Sequence, residues 1–233
     1  MRTIAITLAR GGSKGIPKKN LAKINGKKLI DYTIEAAKNA KLIDRYIIST
    51  DDELIANHCI QKNIEVPFIR PSYLANDTAT SADALKHAVE FCESEEKIKY
   101  DLVVELMCTN PFKTSSDIDN CINLYKRNKV DSVIGVSKLE DHHPARIKKI
   151  IKGYIRDFVI PETSSRRQDL KPDAYIRNGS IYAISRNKLM NESYRFGGAN
   201  SLAYIMEEPA HINIDTKWDL LLADLILKNK NEK

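Results

Sequence analysis

The chain has 233 residues, of which 42% are hydrophobic and 29% are charged, and its net charge is +6 at pH 7. This composition is ordinary for a globular protein built as one large domain, which folds without disulfides or a structural metal. No apolar run approaches the ~20 residues of a membrane span, so the sequence predicts no membrane interaction.

The cysteines lie at positions 59, 92, 108 and 121, and none forms a C-x-x-C pair. This spacing argues against a zinc site and against a thioredoxin-like redox motif. Their apolar neighbours predict buried thiols in a reducing compartment. Because the first residues are too short and too strand-like for a signal peptide, we expect a cytoplasmic protein.

Short apolar runs alternate with helical stripes through the first 136 residues. The predicted strands are 3–8, 46–49, 65–69, 102–106 and 132–136. The predicted helices are 29–40, a helix capped by Thr50 with Glu53 as its capping-box partner, 82–92 and 116–125. This alternation predicts a Rossmann-like α/β domain with a mainly parallel sheet and helices on both faces.

Ligands of such sheets bind beyond the carboxyl ends of the strands. In this chain the corresponding loops are 9–20, 70–81 and 107–115. We therefore expect these loops to form the binding site.

The alternation stops after Ser137. Residues 138–178 are polar and basic, contain three prolines and include a strand-like stretch at 154–159, so we predict an inserted, projecting arm within one domain spanning 1–233. Regular structure is expected to resume with strands at 180–184, 203–206 and 211–214 and a final helix at 217–228.

The loop after the first strand is rich in glycine and positive charge. It contains Gly11, Gly12 and Gly15 together with basic side chains at positions 10, 14 and 19. Glycines let the backbone approach a ligand closely, and free backbone N–H groups cradle phosphate oxygens. The spacing fits neither G-x-G-x-x-G nor the Walker phosphate loop. A triphosphate-binding loop and an ordinary surface turn both remain open from the residues alone.

This loop, L-A-R-G-G-S-K-G-I-P-x-K-N, resembles the first motif of the sialic acid (N-acylneuraminate) cytidylyltransferases. Further segments agree with that family in order along almost the whole chain: 49–51, 70–81, 109–111, 166–169, 178–182 and 212–216. The resemblance implies a nucleotidyltransferase domain that transfers CMP from CTP to the anomeric 2-hydroxyl of a nonulosonic acid, with release of pyrophosphate. It also implies a homodimer in which the arm crosses to the second subunit, with no nucleic-acid or membrane partner.

The resemblance assigns roles to individual residues. Arg10 and Lys19 would grip the CTP phosphates and act in catalysis, supported by Gly11, Gly12, Ser13 and Lys14. The cytidine part would be contacted by Asn20, Arg70 and Ser81. The sugar would be bound by Arg146, Arg166, Arg167, Gln168 and Asn178.

A magnesium site is expected near the last helix. Asp215 follows an apolar run, where a carboxylate is costly unless it is paired, and Mg²⁺ prefers oxygen ligands. Asp215 would be the principal ligand and a catalytic residue, with Asn213, which replaces the first aspartate of the family's I-D-I-D-T, as a neutral ligand. The alternative is that Asp215 caps the last helix.

Two other positions depart from the family. Met107 stands where many relatives carry glutamine, and Ile176-Arg177 stands where several carry an arginine in a shorter segment. Neighbouring histidines, such as His142 and His143, rarely chelate one ion, so we do not assign them to a metal.

Other functions fit the sequence less well. A CMP-transferase for an eight-carbon ulosonic acid usually carries A-R-x-x-S-x-R-x-P-x-K, which Lys14 and Gly15 match poorly. A dinucleotide-dependent oxidoreductase needs a glycine spacing that is absent. A non-catalytic RNA-binding domain, suggested by a pI of ≈ 9.0, lacks clustered aromatic residues for base stacking.

Overall fold

A computed structural model describes residues 1–139, 141–196 and 198–230. The strands are β1 (Thr3–Leu8), β2 (Lys23–Ile24), β3 (Lys27–Lys28), β4 (Arg45–Ser49), β5 (Leu102–Leu106), β6 (Ser132–Lys138), β7 (Lys148–Ile151), β8 (Tyr154–Asp157), β9 (Tyr175–Ser185) and β10 (Ser201–Ile205). The α-helices are α1 (Leu29–Asn39), α2 (Glu53–Gln61), α3 (Ser81–Glu96), α4 (Ser115–Arg127), α5 (Arg186–Glu192) and α6 (Lys217–Lys230). Short 3₁₀ turns lie at Lys19–Leu21, Ser72–Leu74, Pro144–Arg146 and Arg167–Asp169.

The main sheet has the strand order β10-β6-β9-β5-β1-β4. The pairs β1–β4, β1–β5 and β10–β6 are parallel, whereas β9 runs antiparallel to both of its neighbours. The prediction of a mainly parallel α/β sheet is confirmed. The reversed direction of β9 has a topological cause, because the chain leaves β6 and returns beside it after a connection that contains the strands β7 and β8.

Helices cover both faces of this sheet. Ile4 and Ile6 of β1 pack on the face that carries Leu85 of α3 and Leu189 of α5. Ala5 points to the opposite face, where Ile118 of α4 packs. This is the two-residue alternation expected of a strand buried on both sides, and it brings the carboxyl ends of β1, β4 and β5 to one edge.

Several local predictions are wrong. The N-cap of α2 is Asp52, whose side chain accepts a hydrogen bond from the Ile55 N–H at 3.0 Å. Thr50 instead accepts from the Asp52 N–H at 3.1 Å, so it orders the turn before the helix. The predicted strand at 65–69 is reduced to isolated bridges at Glu65 and Ile69.

The segment 211–214 is irregular rather than a strand. It is held by a backbone hydrogen bond from the Ile214 N–H to the Thr109 carbonyl at 2.7 Å, so one tertiary contact replaces a strand ladder. Helix α5 was not anticipated from the sequence.

The predicted arm is shorter at both ends than 138–178, because β6 continues to Lys138 and β9 begins at Tyr175. Strands β7 and β8 within it form an antiparallel hairpin. Its turn places Lys152 and Gly153 at positive φ, as in the tight turns that match strand twist. None of the described helices is both long enough and apolar enough to span a membrane.

Candidate functional site

A cavity of about 200 Å³ opens at the carboxyl ends of β1 and β5. All of the loops expected to form the binding site contribute to it. Its lining residues are Leu8, Arg10, Asn20, Arg70, Leu74, Ala75, Asn76, Ala79, Thr80, Ser81, Ala84, Glu105, Met107, Cys108 and Thr109. We call this space the first cavity.

A second cavity of about 380 Å³ adjoins the first. The two share Leu8, Arg10, Asn20 and Thr109 as common lining residues. The second cavity is lined in addition by Ser13, Lys14, Gly15, Lys19 and Asp215. It therefore collects the positive charge of the glycine-rich loop, whereas the first cavity contains most of the apolar lining.

Arg10 and Lys14 converge on one carboxylate. The Arg10 guanidinium lies 3.3 Å from Asp77 Oδ1, and the Lys14 ammonium lies 2.7 Å from Asp77 Oδ2. The hydrogen bond from Lys14 lowers the pKa of Asp77, with Arg10 adding to the effect. The Asp77 carboxylate thus lies between the positive charges of Arg10 and Lys14.

Lys19 binds the segment that precedes α6. Its ammonium group donates to the Ile214 carbonyl and to Asp215 Oδ1, both at 2.8 Å. Asp215 Oδ2 accepts from the Asn213 side-chain amide at 2.6 Å. The Asn213 side chain therefore lies beside Asp215, although the segment is not a strand.

Asp215 is not the cap of the last helix. Thr216 accepts from the Asp219 N–H at 3.3 Å, and Asp219 accepts from the Thr216 N–H at 2.7 Å. This reciprocal pair is a capping box of the kind that satisfies the first helical N–H groups. The Asp215 side chain is thereby left to the second cavity, where it is 64% exposed.

Gly15 is required by the close approach of the loop to the same segment. A Cβ atom at this position would lie 2.4 Å from the Asp215 carbonyl oxygen. Gly11 donates its N–H to Asp51 at 3.1 Å and faces Asp52, whereas Gly12 meets open space. Gly11 and Gly12 line neither of the two cavities.

Arg70 is a buried cation beside the first cavity. Its side chain is 4% exposed, and its nearest acidic group is Asp51 at 3.6 Å. Burial lowers the pKa of the guanidinium, although Asp51 opposes this shift. Two of its nitrogens are buried without a hydrogen-bond partner among the described residues, which is unusual for a buried polar group.

Asn20 and Ser81 join the cleft from opposite sides. The Asn20 side chain is buried and donates to the Arg10 carbonyl at 3.0 Å, which fixes the backbone at the start of the loop. Ser81 is the first residue of α3, whose N-cap Thr80 accepts from the Asp83 N–H. The positive end of the α3 dipole therefore faces the first cavity.

The predicted sugar-binding residues do not reach this cleft within one chain. Arg146 is paired with Asp141, and Arg166 is paired with Asp169 on the arm. Arg167 and Gln168 line a separate cavity of about 130 Å³ on the arm.

Asn178 is buried instead. Its side-chain amide donates to the Ser137 hydroxyl at 3.2 Å, and its backbone carbonyl accepts from the Asn110 side-chain amide at 3.1 Å. The five sugar-binding assignments stay predictions.

Sequence reasoning missed some residues that line or support the cleft. Thr109 lines both cavities, and Glu105 and Cys108 line the first. Lys113 is buried a few residues further along the chain. Only Thr109 stood in a quoted motif. Glu105 and Lys113 carried no sequence signal, because a charged residue in a strand or turn is ordinarily read as exposed.

The sequence profile of the family described as Cytidylyltransferase matches residues 4–202. The N-acylneuraminate cytidylyltransferase of Streptococcus agalactiae serotype III (strain NEM316) is 32% identical over 241 residues, covering 100% of this chain and 56% of that protein. The chain thus spans about half the length of this relative. The pseudaminic acid cytidylyltransferase of Campylobacter jejuni (serotype O:23/36, strain 81-176) is 30% identical over 234 residues, covering 100% of this chain and 99% of that protein.

A solved structure described as CMP:2-keto-3-deoxy-manno-octonic acid synthetase complexed with CTP superimposes with a TM-score of 0.72. It is 17% identical, and the alignment covers 99% of this chain and 100% of that chain. At this identity the likeness concerns the fold alone. It agrees with the Rossmann-like arrangement of the sheet and helices described above.

We expect Arg10→Ala to weaken binding of CTP by about tenfold to a hundredfold in isothermal titration calorimetry. Loss of a charge-assisted hydrogen bond costs about 1.5–3 kcal/mol, and each 1.4 kcal/mol is about tenfold in affinity. Because Arg10 lies in a polar loop, the free energy of unfolding should change by about 0.5 kcal/mol or less. The matched control is Arg127→Ala, in the last turn of α4, which should bind CTP normally. Unchanged affinity of Arg10→Ala would remove Arg10 from the binding site.

Proposed function

The chain belongs to the cytidylyltransferase family, and from that premise we propose that it transfers CMP from CTP to the anomeric 2-hydroxyl of a nonulosonic acid. The observation that carries this proposal is the pair of adjoining cavities that share Arg10 and Asn20. The first cavity offers the buried guanidinium of Arg70 and the N-terminus of α3. The second cavity offers the basic side chains of the glycine-rich loop together with the carboxylate of Asp215. These are the features required by a nucleoside and by its triphosphate, respectively.

The chain's own residues bind and orient the nucleotide. Arg10, Lys14 and Lys19 hold the phosphates in the second cavity. The phosphates compete there with Asp77, which pairs with Arg10 and Lys14 in the ligand-free chain. Arg70, Asn20 and Ser81 face the cytidine in the first cavity. The sugar hydroxyl oxygen attacks the α-phosphorus, the bond to the pyrophosphate leaving group breaks, and the hydroxyl proton is released. Positioning and electrostatic stabilisation dominate such a transfer.

A magnesium ion fits this site with Asp215 as its protein ligand. The carboxylate is exposed to the second cavity beside the cations that would hold the phosphates. Mg²⁺ bound largely by substrate phosphates needs only one or two carboxylates. When bound, it supplies positive charge that offsets the charge on the phosphates.

Asn213 fits the ion less directly. Its amide nitrogen faces Asp215, and its Oδ1 is buried without a hydrogen-bond partner among the described residues. Rotation of the amide would turn this oxygen towards Asp215. We therefore keep Asn213 as a neutral ligand that complements Asp215.

The arm supports a homodimer. Its hairpin exposes a set of large apolar side chains that a lone chain leaves in water: Ile147, Ile150, Ile151, Tyr154, Ile155, Phe158 and Val159. Patches of this kind mark protein interfaces. Since Arg146, Arg166, Arg167 and Gln168 lie away from their own cleft, we propose that the arm carries them to the cleft of the second copy.

Two other assignments complete the proposal. The four cysteines are free and buried, which suits the reducing cytoplasm. The two relatives described above, at 32% and 30% identity, are named for N-acylneuraminate and pseudaminic acid, whereas the eight-carbon synthetase shares the fold at 17% identity. We therefore favour a nonulosonic acid and treat an eight-carbon ulosonic acid as the alternative. Nucleic acid and membrane are not proposed as partners, because the basic side chains of the glycine-rich loop line a cleft.

We expect pyrophosphate release with CTP to exceed release with UTP, ATP or GTP when a panel of acidic sugars is supplied. The physical reason is that a cytosine edge matches the polar groups of the first cavity. The panel should contain sialic, legionaminic and pseudaminic acids, together with an eight-carbon ulosonic acid. Equal rates with all four nucleotides would contradict the nucleotide assignment, and release only with the eight-carbon acid would favour the alternative sugar.

We expect Asp215→Asn to reduce kcat/KM by about a hundredfold or more, because it removes charge that stabilises the transition state. Its melting temperature should barely change, since Thr216 and Asp219 cap α6. Asn213→Asp adds a second carboxylate and should lower the Mg²⁺ concentration for half-maximal rate. It should also make the melting temperature dependent on Mg²⁺, because two neighbouring carboxylates repel without the ion. Near-normal turnover by Asp215→Asn would exclude the ligand role.

We expect Ile155→Asp to shift the mass measured by light scattering from about twice 26.4 kDa to a single chain. Ile155 is 68% exposed on β8, and a buried charge there would destabilise an interface. Ile60→Asp, on an exposed face of α2, is the matched control and should stay dimeric.

A mixture of two variant chains tests whether each active site is shared between the two subunits of the proposed dimer. Arg10→Ala and Arg167→Ala chains, each expected to be strongly impaired alone, should together recover about a quarter of wild-type activity when they re-pair at random, because one site of each mixed dimer is intact. If no activity returns, each arm serves its own cleft.

A further inference from the structure

The segment 107–110 forms the wall between the substrate cavities and the interior of the protein. Met107 and Cys108 line the first cavity, and Thr109 lines both. This segment follows β5 directly and has no regular structure of its own. Its position therefore depends on contacts made from behind.

Lys113 makes these contacts from a buried position. The residue is 4% exposed, and its ammonium group donates to the Met107 carbonyl at 2.7 Å, to the Thr33 hydroxyl at 2.9 Å and to the Asn110 carbonyl. The three hydrogen-bond donors of the ammonium group are thus all used. They connect the two ends of the wall segment to α1.

Among the described residues, Lys113 forms no ion pair with a carboxylate. Its ammonium group is bound by neutral oxygen atoms. The titratable groups whose charges act on it are the Cys108 thiol and the Asp117 carboxylate of α4. Burial raises the pKa of Cys108 to about 12, so the thiol is neutral. Burial lowers the pKa of Lys113 from 10.5 to about 7. Its proton is therefore held weakly in the ligand-free protein.

Lys113 has a neighbour, Cys108, in common with the second cavity. The Cys108 thiol experiences the charges of both Lys113 and Lys19, and Lys19 lines the second cavity. Lys113 is thus a second layer of positive charge behind the wall. A polyanion in the cavity stabilises the protonated ammonium group, because opposite charges attract more strongly in a buried environment.

We propose that Lys113 is a positioning residue for nucleotide binding, which fixes the wall segment 107–110 against α1 and takes up a proton when the triphosphate enters the neighbouring cavity. This inference rests on the proposed function for the identity of the nucleotide. By linkage, the affinity for CTP then falls as the pH rises through about 7, because deprotonated Lys113 no longer supports the anion.

The test is calorimetric titration of the protein with CTP, without sugar, at pH 7.5 to 8, a range chosen about one unit above the ligand-free pKa. Comparison of two buffers with different ionisation enthalpies gives the number of protons taken up. We expect wild type to take up a fraction of a proton more than Lys113→Met or Lys113→Gln. Lys113→Gln keeps donors for the carbonyls, so it should bind CTP more tightly than Lys113→Met while lacking the extra proton uptake.

Lys38→Met, on the exposed face of α1, is the matched control and should behave as wild type. Equal proton uptake in wild type and in both Lys113 variants would overturn the proposal. Failure of wild type to bind CTP would instead count against the proposed function. If both variants unfold, ¹³C-labelled lysine in the wild type decides, because one signal should titrate near pH 7 and move to a higher pKa with CTP.

Discussion

The buried side chain of Asn110 holds together the parts of the molecule that form the cleft. Its amide donates to the carbonyls of Asn178 and Ala210, and its Oδ1 accepts from the Phe112 N–H at 3.1 Å. These bonds join the turn after β5 to β9 and to the segment that leads to Asp215. Removal of a buried amide of this kind leaves several backbone groups unsatisfied, which costs more than the bonds themselves contribute. The geometry around Asp215 therefore depends on a residue that touches neither cavity.

The charges of the cleft are balanced internally. The glycine-rich loop carries its cations towards Asp77 on one side and Asp215 on the other. Both carboxylates are more than half exposed, so these pairs contribute little to stability and exchange readily for other anions. Under the proposed function, the phosphates of CTP would replace these carboxylates as partners of the cations. Buried Arg70 and Lys113 differ, since their positions are fixed by the fold.

The arm follows from the reversal of β9. An antiparallel strand beside β6 allows the connection to leave the sheet and return as a hairpin, which projects apolar side chains away from the core. Such a hairpin buries too little surface to be stable alone. A second copy that covers it would stabilise the hairpin and the interface together. This links the direction of one strand to the proposed sharing of arginines between subunits.

The sequence by itself determined the alternating strands and helices, the loops of the binding site and the basic glycine-rich turn. These features are local, because hydrophobic periodicity and turn residues act over a few positions. The capping box of α6 is also local, because Thr216 and Asp219 are three positions apart. It shows that Thr216, and not Asp215, caps the helix.

Only the tertiary structure decided the direction of β9, the burial of Asn178 and the role of Lys113. Each depends on partners distant in the chain. Strand direction is set by the route of residues 139–174. The Asn178 side chain is buried against Ser137, and Lys113 reaches Thr33 across the core. A charged or amide side chain has no periodic signal of its own, and its burial becomes favourable only when the fold brings oxygen atoms to it.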